Sequence, residues 1–140
     1  MFARLAMVLA PLLAISPPLA AAELLGVVTH VRDGDTIEVE GLAVRLQGLH
    51  APELGEPLGK ESKAAMVGLA LGKDTRCELT GEVNGDRVIG VCYVARKDLA
   101  AELVKLGLGR DCPRYSGGRY AELEQPGAAS MALPTYCQPQ

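Results

Sequence analysis

Val31-Arg32-Asp33-Gly34-Asp35-Thr36-Ile37 and, a little further on, Val44-Arg45-Leu46-Gln47-Gly48-Leu49-His50-Ala51-Pro52-Glu53 decide how this chain reads. In the first run β-branched residues frame an Asp-Gly-Asp turn, and in the second apolar and polar residues alternate before a proline. That is the pattern of short strands joined by tight turns. The same runs bring together two acids (Asp33, Asp35), an arginine (Arg45), a histidine (His50) and a further acid, Glu53. Oxygen ligands suit calcium, a guanidinium fork matches a phosphate oxyanion, and a free carboxylate activates water.

Working outward, Leu24 to Val31 reads as a first strand. Thr36–Val39 and Leu42–Leu46 alternate around Glu40-Gly41 as a hairpin does. Lys60 to Leu71 places Ala64, Val67, Leu69 and Leu71 near helical spacing, with Gly72 as a stop. Arg76–Thr80 and Val88–Val94 form a second hairpin about Asn84-Gly85. Asp98 caps a helix whose stripe is Leu99, Leu103 and Leu106, ended by Gly107. Five short strands with a helix between the third and fourth predict an α+β chain, a five-stranded OB-fold barrel with two to three helices. Past Tyr120 the periodicity fades. Arg119 to Glu124 suits a helical turn or two, Pro126-Gly127 ends it, and Ala128 to Gln140 reads as an irregular strap. No internal repeat or interdomain linker stands out.

Four cysteines, Cys77, Cys92, Cys112 and Cys137, predict two disulfides in an exported chain, with three connectivities open. No Cys-x-x-Cys pair supports zinc. A two-residue turn at Asn84-Gly85 would oppose residues whose numbers total 169, Cys77 and Cys92 among them. Cys112–Cys137 follows by elimination and would tie the tail to the body.

The N-terminus points the same way. Arg4 is the one charge before Glu23, Leu5 to Ile15 is apolar around Pro11, and Pro17-Pro18 precede Ala20-Ala21-Ala22. This predicts a signal peptide over residues 1–22 and an exported domain over 23–140, periplasmic or secreted. A retained anchor would need about 20 unbroken apolar residues, so no membrane anchor is expected after cleavage.

Composition bounds the partner. The chain has 14 basic and 17 acidic residues, a net charge of −3. Proteins that grip duplex DNA tightly are basic, because phosphate contacts supply most of the affinity. Weak, transient contact with nucleic acid is compatible. Lys105, Arg110, Arg114 and Arg119 share one C-terminal stretch, which by itself reads as a solvated face. One Phe, four Tyr and no Trp make stacking platforms scarce, which favours an enzyme over a dedicated single-strand binder.

Asp33-Gly34-Asp35-Thr36, then Arg45-Leu46, then His50-Ala51-Pro52-Glu53 resemble, in order and spacing, the signature of the staphylococcal nuclease-like (thermonuclease) family: Asp-Gly-Asp-Thr, Arg-Leu, Asp-x-Pro-Glu. The resemblance spans roughly Leu24 to Glu124 and implies the same OB fold. It implies Asp35 as a calcium-ligating carboxylate supported by Asp33 and Thr36, with His50 and the Ala51 carbonyl completing the metal positions. Glu53 takes the place of the general base. Arg45 and Arg87 take those of the arginines that stabilise the phosphorane, and Tyr115 that of a residue touching the nucleotide phosphate.

Three departures mark this chain. Gly85-Asp86-Arg87 is shorter than the family's Asp-x-Tyr-Gly-Arg and lacks its tyrosine, Pro113 stands where a second tyrosine is usual, and His50 replaces an acid. Three outcomes of the histidine are open: weaker calcium through Asp35 and the Ala51 carbonyl, a softer metal such as Mn2+ or zinc, or loss of metal and catalysis together. The resemblance thus implies a metal-dependent phosphodiesterase, an endo- or exonuclease cutting single-stranded DNA and RNA to 3′-phosphate ends; with the leader and the cysteines, the chain reads as exported, and a monomer is expected. The alternative is a non-catalytic OB-fold binding module of the cell envelope that has lost its calcium site.

Overall fold

The computed structural model describes residues 22–139, so the expected leader lies outside the described residues apart from Ala22. β1 (Glu23–Asp33), β2 (Thr36–Val39) and β3 (Leu42–Leu46) form an antiparallel meander, followed by the two-residue β4 (Leu49–His50) and helix α1 (Gly59–Ala70). β5 (Asp74–Asn84) and β6 (Arg87–Val94) make the second hairpin; β7 (Lys97–Asp98), α2 (Leu99–Lys105), β8 (Arg110–Asp111) and α3 (Pro113–Ser116) complete the order. β1 pairs with β5, and β3 pairs in parallel with β6 through Val44↔Val88 and Leu46↔Gly90. That last pairing closes the five long strands into a barrel, the OB architecture expected from the sequence.

Alternation builds the core. Val28, Val31, Ile37, Val39, Val44 and Leu46 all point inward with almost no exposure. The β2–β3 turn falls at Glu40-Gly41, both left-handed (φ 48° and 82°), the twist a two-residue hairpin needs. α1 covers the barrel with a different face from the one the spacing suggested. Ser62, Met66 and Ala70 are buried, whereas Ala64 and Leu71 are exposed and Val67 and Leu69 only half-buried. Gly59, Ser62 and Ala70 are small and flank the one large buried side chain, Met66, on that face. In α2 the Asp98 carboxylate accepts from the Ala100 and Ala101 amides, and Leu99 and Leu103 are buried. Leu106, expected on that stripe, is instead exposed, because the helix stops at Lys105 and Gly107 (φ 74°) turns the chain away.

The second hairpin is longer than its sequence pattern and turns one residue later. Asn84 pairs with Arg87, so the central residues are Gly85 and Asp86 rather than Asn84 and Gly85. A bulge between Leu79 and Val83, around left-handed Gly81 (φ 88°), takes up the difference and restores Cys77↔Cys92. The Cys77–Cys92 bridge expected from a simple count is therefore present, although two departures from that count cancel to produce it. Cys112–Cys137 is the second bridge. Disulfides of this kind belong to oxidising, extracytoplasmic surroundings. No helix among the described residues is long and apolar enough to cross a membrane.

After α3 the chain runs through three single 3₁₀ turns, at Ala121–Leu123, Pro126–Ser130 and Thr135–Cys137. Tyr120 anchors this strap. Its amide donates to Asp111 (3.1 Å) and its phenol, buried, donates to Asp98 (2.9 Å), which with burial pushes the phenol's pKa up. The basic stretch is largely paired. Lys105 meets Glu102, Arg110 meets Glu124 and the Met131 carbonyl, Arg119 meets Asp98, and Arg114 lies over the Tyr115 ring at 5.5 Å.

Candidate active site

Where β3 and β6 meet, the barrel opens onto a cavity of about 780 Å³ walled by Asp35, Arg45, Glu53, Arg87 and Tyr115. Asp35 ends the tight turn after β1. Its amide donates to the Asp33 carboxylate (3.0 Å), and its own carboxylate accepts from the Thr36 hydroxyl (2.8 Å). Gly34 between them is packed so closely that a Cβ would stand 2.1 Å from Ser62 Oγ and 2.8 Å from Ala51 Cβ, which presses the turn onto α1 and the loop after β4.

Two arginines converge on Asp35. Val44 and Leu46 point into the core, so strand alternation turns Arg45 toward the cavity, where an Nη lies 3.8 Å from one Asp35 oxygen. A second Nη donates to the Leu49 carbonyl (3.4 Å). Arg87, from the start of β6, reaches the other Asp35 oxygen at 4.0 Å and donates to Thr36 Oγ (3.1 Å). Its fork is held from behind by the Asn84 side chain (2.8 Å). Asp86 does not engage Arg87; it makes a two-armed pair with Arg32 (3.1 and 2.7 Å). The sequence marked Asn84 only as a turn former. An amide three residues ahead of an arginine across a tight turn was the available signal that it would clamp that arginine.

Glu53 is exposed on the cavity rim, after buried Ala51 and Pro52. Its backbone is fixed from α1: a Cβ on Gly59 would stand 1.8 Å from the Glu53 carbonyl oxygen, so the first helical residue has to be glycine for the loop to lie where it does. The cavity wall also includes Gln47, whose amide donates to the Tyr115 carbonyl (3.0 Å), and Tyr136 from the strap. Neither stood out in the sequence. Tyr136 lies where there is no periodicity to read, and Gln47, just past the end of β3, carries no motif of its own.

His50 and Ala51 are buried and do not form part of the cavity wall. Neither ring nitrogen of His50 has a hydrogen-bond partner among the described residues. Burial, against the opposing Glu56 charge and with the Arg45 and Arg110 charges, holds the imidazole below its ordinary pKa. Burial and the neighbouring Asp35 charge push the Asp33 carboxyl up to about 6. Among the described residues no three His, Cys, Asp or Glu side chains cluster to hold an ion. A calcium cage of about six to eight oxygens does not fit this donor set. Of the three carboxylates on the wall (Asp35, Glu53 and Glu82), Asp35, with Asp33 crowded beside it, fits a cation that would keep most of its water.

Two arginines facing one acid beside a free carboxylate make a site for an oxyanion next to a base. The family described as "Staphylococcal nuclease homologue" matches residues 43–129, a span holding Arg45, Glu53, Arg87 and Tyr115. The chain belongs to that family. The match starts beyond Asp35, which joins the site through the barrel rather than through the matched span. Among relatives, the "Succinoglycan biosynthesis protein ExoI" of Rhizobium meliloti (strain 1021) is 32% identical over 145 residues, 95% of this chain and 75% of that protein. An "Uncharacterized endonuclease" of Haemophilus influenzae (strain ATCC 51907 / DSM 11121 / KW20 / Rd) is 29% identical over 94 residues, 64% of this chain and about half (53%) of that protein. Membership and the endonuclease relative support a nuclease-type function.

Proposed function

We propose that the protein is an exported phosphodiesterase that hydrolyses single-stranded DNA and RNA. The observation that carries this reading is the convergence of Arg45 and Arg87 from opposite sides of the β3–β6 seam, with Glu53 on the same cavity. A binding module has no use for an exposed carboxylate beside two arginines that already have a partner in Asp35.

The phosphodiester enters between the arginines, displacing part of their contact with Asp35. Their forks hold the non-bridging oxygens and strengthen as charge builds on the pentacoordinate phosphorane. Glu53 takes a proton from the attacking water. Departure of the 5′ oxygen leaves a 3′-phosphate end, as the family resemblance implies. Asp35, with Asp33 beside it, would hold a divalent cation, calcium or Mn2+, whose charge would help neutralise the phosphoryl group. Thr36 and Asn84 hold Asp35 and Arg87 in place, and Tyr115 borders the phosphate subsite.

The test is cleavage of single-stranded DNA and RNA by the oxidised chain with calcium, with Mn2+ and with chelator. The expected outcome is metal-dependent cleavage, abolished by Glu53→Ala. The second reading, an OB binding module, is favoured by His50 in the family's acid position. It predicts oligonucleotide affinity indifferent to chelator and no cleavage under any metal.

A further inference from the structure

The strap that closes the chain contributes to the same cavity, outside the span matched by the family. The described residues contain four tyrosines. Tyr120 is buried against Asp98, and Tyr93 is covered by Arg76 at 4.6 Å. The other two, Tyr115 and Tyr136, stand 45% and 44% exposed on the cavity wall with Arg45, Arg87 and Glu53. A composition poor in aromatics argued against a stacking platform, yet the fold gathers half of these rings at one place.

The local chemistry is arranged to keep Tyr136 there. Pro134 precedes it with φ −58°, the 3₁₀ turn Thr135–Cys137 carries it, and Cys137 is bridged to Cys112, itself part of the cavity wall. Tyr115 lies two residues beyond Pro113 in α3 and is backed by the Arg114 guanidinium. One disulfide thus fixes an exposed ring from the tail beside an exposed ring from α3. Arginines recognise phosphate alone. A ring face is what recognises a base, and it does so for every base but only where the base is unpaired.

We infer that Tyr136, carried to the cavity by the Cys112–Cys137 bridge, is a nucleobase-stacking residue that acts with Tyr115 on the base next to the bound phosphodiester. This rests on the phosphodiesterase reading for the position of the phosphate. It gives an acidic chain a source of substrate affinity that does not depend on charge, and it selects single strands, whose bases are free to turn onto the rings.

The experiment compares two short single-stranded DNA oligonucleotides on the oxidised chain. One is intact and one lacks the base beside the cleaved bond. For the wild type, loss of the base is expected to lower kcat/KM roughly tenfold. Tyr136→Ala is expected to cut the intact oligonucleotide as slowly as the wild type cuts the abasic one, with little further loss on the abasic one. Tyr136→Phe should behave as wild type. If Tyr136→Ala discriminates the two substrates as strongly as wild type, the stacking role is wrong while the hydrolytic reading stands. If the wild type cleaves neither, the hydrolytic reading fails, and equilibrium binding of the same two oligonucleotides decides the stacking role. A roughly tenfold preference for the intact one, lost in Tyr136→Ala, supports it, and equal affinities overturn it.

Discussion

The barrel wall and the C-terminal strap border the same cavity but are held by different physics. The wall, β1 to β3 with β6, is a continuous ladder in which each strand's inward face is apolar, so the outward-facing Arg45 is placed by alternation. The strap, residues 117–139, has no strand and only single 3₁₀ turns. Its order comes from a few long-range ties: Tyr120 to Asp111 and Asp98, Glu124 to Arg110 and the Asp111 amide, Arg110 to the Met131 carbonyl, and Cys112–Cys137. A ladder fixes a charge to within a fraction of an ångström through many weak bonds. A strap fixes a ring through one covalent bond, and it can be changed without disturbing the ladder.

The two disulfides give the largest lever on that contrast. Their loops are of similar size, with sequence separations of 15 and 25, so chain entropy assigns each about 3 kcal/mol. Cys77→Ala/Cys92→Ala and Cys112→Ala/Cys137→Ala should therefore lose comparable stability in urea titration. Their local consequences should differ. The first pair is already opposed in a hydrogen-bonded hairpin, whereas the second is the covalent hold on the strap. Limited proteolysis under native conditions should cut residues 126–139 in the second variant and spare them in the first. Equal resistance would mean the strap is held by its side-chain ties alone.

On the wall side, Gly59→Ala forces a Cβ against the Glu53 carbonyl. We expect a loss of about 2 kcal/mol in thermal unfolding together with a fall in cleavage rate. Gly55→Ala, in the same loop but with open space around it, is expected to be nearly neutral in both. A Gly59→Ala variant with wild-type rate would show that the helix start does not position Glu53.

Much of this contrast follows from what a linear sequence can carry. The Glu40-Gly41 turn, the Asp98 cap and the inward alternation around Arg45 are local signals, and each is found in the structure. The face of α1 differs from the one the spacing suggests because Ser62 and Ala70, which flank Met66 on it, carry little hydrophobic signal, while Val67 and Leu69 pack at its margin. The register of β5 with β6 needed both a later turn and a bulge, and only the three-dimensional pairing reveals that they cancel. Asp35, Arg45, Glu53, Arg87 and Tyr115, separated in sequence, do share one cavity, whereas His50 lies buried away from its wall. Tyr136 was out of reach because the path of an aperiodic strap sets its place, whereas Asn84 offered only its spacing from Arg87 across the turn.

The smallest effect expected is at the junction of the two regions. Tyr120→Phe removes the bond to Asp98 and leaves the packing, so it should cost about 1 kcal/mol with the cleavage rate unchanged. A large loss of activity would mean that the strap anchor also sets the geometry of the wall.

The measurement that bears most directly on the central claim is the rate of single-stranded DNA cleavage by Arg45→Ala, taken beside its unfolding temperature. A transition-state role predicts a fall in kcat of about 10²–10³-fold in a protein that unfolds within a few degrees of wild type. Cleavage at the wild-type rate by the folded variant would contradict it, because the guanidinium that alternation turns into the cavity would then have no part in the chemistry.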